Sequence, residues 1–75
     1  MGVTLKITDL RTGQRIYNGW NIGERECWIC ALPDIAEHFA VSQDEIGIED
    51  AEDGDFVTVD GKRVAELRPT WNGQG

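Results

Sequence analysis

Seventy-five residues make one domain at most, and a chain this short buries only about 60% of the surface it exposes when unfolded, which leaves little room for the pocket of a small-molecule enzyme. The net charge of −7, from 14 acids and 7 bases, lies in the ordinary range for solubility. Two cysteines are too few for a disulfide scaffold, no stretch approaches the roughly 18 apolar residues of a membrane span, and residues 1–10 lack the basic leader and apolar run of a signal peptide, so the expectation is a cytoplasmic protein with no membrane association.

Val3, Leu5 and Ile7 alternate with Thr4, Lys6 and Thr8, the period of a strand with one face on the core. Arg11-Thr12-Gly13-Gln14 is turn chemistry, and Ile16, Asn18, Trp20 and Ile22 follow at the same period with Tyr17 on the other face, which completes an N-terminal β-hairpin. Residues 27–32 form a short apolar run rich in strand formers. Periodicity does not separate a buried strand from a helix start in so short a run, and the strand is the preferred reading. Pro33 suits a first helical turn, and Leu32, Ile35, Ala36 and Phe39 recur at i, i+3, i+4 and i+7, so a helix is expected over 33–40.

Ser42 and Glu45 have capping-box spacing, which starts a second helical turn that Gly47 limits. Ile46-Gly47-Ile48 reads as a short strand. Phe56-Val57-Thr58-Val59, the pair Asp60-Gly61 and residues 62–67 form a C-terminal β-hairpin, because Asp-Gly tolerates the positive φ of a type I′ turn. The expected fold is a small single α+β domain over 1–68, with an N-terminal hairpin and a third strand, one central helix and a C-terminal hairpin. Residues 69–75, polar and glycine-rich, are expected to be a flexible tail.

Cys27-Trp28-Ile29-Cys30 has the spacing of a redox dithiol or of half a zinc site. Glu24 and Glu26 just before it work against a reactive thiolate, His38 is the only other soft ligand, and on a strand residues three apart point to opposite faces, so no metal or other cofactor is expected. One histidine and one serine offer little for nucleophilic catalysis. His38 and Ser42 are four apart, as on one helix face, but Ser42 has a capping role and His38 falls opposite Ile35 and Phe39, facing solvent. Residues 49–55 resemble a calcium loop only in composition, since the register puts Ala51 on a ligand position. A helix-turn-helix spacing from Leu32 onward would have residues 43–50 as its recognition helix, with four acids and no base, which repels phosphate. Direct nucleic-acid binding is therefore not expected. No catalytic residues are assigned and no enzymatic activity is expected.

The charges are segregated. Residues 34–60 hold ten acids and no Lys or Arg, whereas residues 1–33 hold four bases and three acids, and residues 61–75 hold three bases and one acid. A large single-sign field is unusual unless it steers or binds a partner of opposite sign; the alternative is a solvated helix face followed by an acidic loop. The candidate partner-binding residues are Glu37, Asp44 and Glu45 around the helix end and Glu49, Asp50, Glu52, Asp53 and Asp55 beyond it. The partner these acids fit is a basic protein surface, such as that of a nucleic-acid-binding protein, met by a monomer or small homo-oligomer.

In size, acidity and this run of acids from Asp34 to Asp60, the chain resembles the small phage-encoded inhibitors of CRISPR or restriction enzymes. The resemblance implies a non-catalytic inhibitor that mimics DNA and occupies a basic nucleic-acid-binding surface; it transfers no role to an individual residue. Two other readings stay open: a generic accessory or oligomerising domain of a bacterial or phage operon, and a small metal or thiol protein.

Overall fold

Val3, Leu5 and Ile7 are fully buried on one side of strand β1 (Gly2–Asp9), and the rest of the fold is arranged around that stripe. The computed structural model describes residues 2–72. After a turn closed by Asp9 N–H to the Gln14 carbonyl and Gly13 N–H to the Asp9 carbonyl, β2 (Arg15–Asn21) pairs antiparallel with β1. Then come helix α1 (Glu24–Phe39), a single 3-10 turn (Gln43–Glu45), and strands β3 (Ile46–Ala51), β4 (Gly54–Val59) and β5 (Lys62–Asn72). The strands form one antiparallel sheet in the order β2-β1-β5-β4-β3. The α+β class and the hairpins at both ends agree with the sequence reading, but the sheet has five strands, with β5 at its centre between β1 and β4.

The register corrects β2. Tyr17 lies directly opposite Ile7, and directly opposed residues share a face, so Tyr17 packs on the core while Asn18, Trp20 and Ile22 are exposed. A bulge next to the Ile7–Tyr17 pair absorbs the shift in alternation.

The expected third strand over 27–32 is helix instead, and α1 starts nine residues before Pro33. Cys27, Ala31 and Ile35, at i, i+4 and i+8, are fully buried, so the helical period wins once there is a sheet for that stripe to cover. Glu24 and Glu26 in the first turn suit the positive end of the helix dipole. Pro33 lies within the helix, where it lacks the N–H for the Ile29 carbonyl; both residues are exposed, so water can serve that carbonyl. Ala40, in the left-handed region at φ 56°, ends the helix, and the Val41 amide donates back to the Ala36 carbonyl.

The capping box forms: the Asp44 amide donates to Ser42 Oγ (3.3 Å) and the Ser42 amide to Glu45 Oε2 (2.9 Å). It caps one 3-10 turn, because Ile46 and Ile48 enter the sheet as β3. The segment considered as a recognition helix is therefore mostly strand, and the acids of 49–55 lie on a hairpin instead of a calcium loop. Asp60 and Gly61 take φ of 53° and 81°, the positive values the β4–β5 turn requires. β5 continues through Pro69 to Asn72 against β1, so the expected tail gives way to strand as far as residue 72, and residues 73–75 lie outside the described residues. No helix among the described residues is long and apolar enough to cross a membrane.

Candidate functional site

The β3–β4 hairpin sets most of the candidate acids at one edge of the sheet. Asp50 and Asp55 are cross-strand partners, and Val57, two residues beyond Asp55, belongs to the core, so both carboxylates stand on the side that carries α1. Their proximity has a chemical consequence: the hydrogen bond that the protonated Asp55 carboxyl donates to Asp50, partial desolvation and like charge hold the Asp55 carboxyl above its ordinary range. Glu52 and Asp53 form the tip of the hairpin, and both are exposed.

Glu49 points to the opposite side. Its Oε2 accepts from Arg63 Nε at 2.9 Å and also from Nη2, and Arg63 Nη1 lies 3.7 Å from Asp53 Oδ2. The Arg63 guanidinium stacks over Phe56 with its Cζ 4.3 Å from the ring centroid, while Phe56 is the cross-strand partner of Glu49. Hydrogen bonds from Arg63 hold the Glu49 carboxyl below its ordinary range and raise that of the guanidinium in return. Asp44 and Glu45 sit in the 3-10 turn leading into β3.

Glu37 does not join this group. It lines a shallow groove of about 170 Å³ with Gln14, Arg15, Ile16, Asp34 and His38, next to β2 at the far edge of the sheet. The structure thus strings Asp44, Glu45, Glu49, Asp50, Glu52, Asp53 and Asp55 along β3 and its turn into β4, with Asp44 and Glu45 at the opposite end of the strand from Glu52 and Asp53, while Glu37 lies on α1 beside β2. Within the group, only Glu49 and Asp53 have a basic partner among the described residues, and in both cases it is Arg63.

His38 also differs from expectation. Its Nε2 is 2.8 Å from Oδ2 of the buried Asp9, and its ring meets Phe39 edge-on at 4.7 Å. Asp9 Oδ1 takes the amides of Arg11 (2.7 Å) and Thr12 (3.3 Å), so all of its contacts are structural ones within the turn and to the helix. The signal in the sequence was Asp9 itself, a carboxylate at the next core-facing position after Val3, Leu5 and Ile7. Ser42 lies beyond the helix end, so it shares no helix face with His38.

Cys27 is buried, with Sγ 3.2 Å from the Gly19 carbonyl, and burial pushes its thiol up. Cys30 is exposed, with Asn21 Nδ2 donating to its Sγ at 3.6 Å. No group of three or more potential metal ligands occurs among the described residues. Comparison with protein-family models, with curated proteins and with solved structures finds no match for this chain.

Proposed function

We propose that this chain is a non-catalytic, acidic protein-binding module that docks its β3–β4 edge on a basic surface of a partner. The observation that carries the reading is the gathering of Asp44, Glu45, Asp50, Glu52 and Asp55 at one sheet edge with no basic partner among the described residues. Asp50 and Asp55 stand directly opposite each other, and keeping those like charges together costs self-repulsion, which a basic partner would relieve. The sharp form of the reading is an inhibitor that excludes nucleic acid from the basic groove of a CRISPR or restriction complex.

The test adds the purified chain to a panel of such enzymes with their DNA and follows DNA retention by gel shift. The expected result is displacement from at least one enzyme, lost in the variant Asp50→Lys/Glu52→Lys and weakened by salt. Displacement by that variant equal to the parent's, no displacement from any enzyme, or binding of the chain itself to DNA tighter than about 10⁻⁶ M would each end the reading.

A second reading, an oligomerising or accessory domain, is favoured by the exposed apolar side chains Trp20, Ile22, Ile29 and Trp71, each more than half exposed. It predicts that charge reversal leaves association unchanged while Trp71→Ala abolishes it.

A further inference from the structure

We propose that the free edge of β3 takes up an extended basic segment of a partner protein as a sixth strand. The inference rests on the acidic-edge reading above and adds to it the mode of recognition. β3 is the last strand in the sheet order. The Asp60 amide donates to the Glu45 carbonyl at 3.0 Å, which fixes the alternation along the strand: Gly47, Glu49 and Ala51 turn their backbone groups to β4, and Ile46, Ile48 and Asp50 turn theirs outward. The Ile46 N–H is already taken by the Gln43 carbonyl, so the template for main-chain pairing is formed by the outward groups of Ile48 and Asp50.

The side of β3 facing the helix is also open. α1 packs mainly against β2 and β1, so between the helix and β3 there is a groove of about 470 Å³ lined by Glu24, Arg25, Trp28 and Ile48, with Ile48 half exposed. A strand added beside Ile48 would place alternate side chains on this face, one over Trp28 and Ile48 and the next beside Asp50; the intervening ones would stand beside Glu49 on the other face. The matching segment carries an apolar residue beside Ile48 and Lys or Arg at each of the next two positions, one for Glu49 and one for Asp50.

Charge chooses between occupants. A second copy pairing β3 with β3 would set Glu49 and Asp50 close to their own counterparts, which like-charge repulsion opposes. The other edge strand, β2, lies under α1 and begins at Arg15, so it offers a basic segment no comparable acids. A basic segment of another protein is therefore the occupant that both the backbone and the charges fit.

The experiment titrates the intact chain with an eight-residue peptide of repeating Val-Lys-Lys pattern, following backbone amide signals by NMR. Three comparisons accompany it: the same peptide N-methylated at alternate residues, an octalysine peptide, and the variants Ile48→Pro and Ile48→Val. Pro at 48 removes an outward N–H and no bond to β4, and edge positions tolerate it.

The expected result is perturbation and slowed exchange at the Ile48 and Asp50 amides, with affinity reduced about tenfold or more by N-methylation or by Ile48→Pro but little by Ile48→Val. Binding that ignores N-methylation and Ile48→Pro, yet is lost in Asp50→Lys, overturns strand addition and leaves the acidic-edge reading standing. Binding that Asp50→Lys does not weaken overturns both. No binding by about 1 mM peptide, or the same amides protected on self-association without peptide, also overturns strand addition.

Discussion

His38 Nε2 and Asp9 Oδ2, 29 residues apart in the chain, meet at 2.8 Å and tie the last turn of α1 to the turn that follows β1. Asp9 is the one carboxylate among the buried residues, and the same group caps the amides of Arg11 and Thr12. The hydrogen bond from His38, followed by that from the Arg11 amide, holds its carboxyl below the ordinary range. A carboxyl depressed in the folded state stabilises the fold above its unfolded value, near 3.9, and that stabilisation is lost as pH falls through the folded value. Thermal unfolding followed from pH 7 to pH 2 should show an acid-side loss below about pH 4, and Asp9→Asn, which keeps an acceptor for both amides, should lower Tm at neutral pH and flatten that limb. An unchanged limb in Asp9→Asn would mean that other carboxylates carry the acid sensitivity.

Asp55 has the opposite sign. Its carboxyl is raised, chiefly by Asp50, so ionising it at neutral pH works against the fold, and this penalty appears as pH rises through its titration. Asp55→Asn should therefore raise Tm at pH 7, with the gain vanishing toward pH 3, where the parent's carboxyls are protonated. If the acidic edge is the working surface, the same substitution weakens partner binding, a gain of stability against function. Scans of parent and variant at the two pH values, paired with a binding assay, test both halves.

The two cysteines should react very differently with a thiol reagent such as DTNB. Cys30 is exposed and Cys27 fully buried, with its thiol pushed up by burial. The native protein should release one equivalent quickly and the second only on the timescale of opening or on denaturation. Rapid release of two equivalents from the folded chain would contradict the packing of α1 on β1 and β2.

Ile35 sits fully buried at the C-terminal end of the α1 stripe formed with Cys27 and Ala31. Ile35→Val should cost about 0.5–1.5 kcal/mol and Ile35→Ala about 2–5 kcal/mol, the latter a large share of the stability a domain this small commands. Urea midpoints with an unchanged slope would register these as losses of packing; a halved effect would place Ile35 at a poorly packed site.

Much of the local structure was present in the sequence by itself, wherever a short-range rule governs. Val3, Leu5 and Ile7 announced a strand by their period, Asp60-Gly61 a turn by its tolerance of positive φ, and Ser42 with Glu45 a cap by their spacing. The tertiary structure alone decided what depends on a partner surface. Residues 27–32 are helix because the sheet offers a face for Cys27, Ala31 and Ile35, and Pro69 to Asn72 are strand because β1 supplies their hydrogen bonds. The acids read as one run divide in the same way. Hairpin register pairs Asp50 with Asp55 and turns Glu49 to Arg63, while the helix carries Glu37 toward β2, since which carboxylates meet is set by strand pairing and helix placement, neither of which a run of like residues encodes.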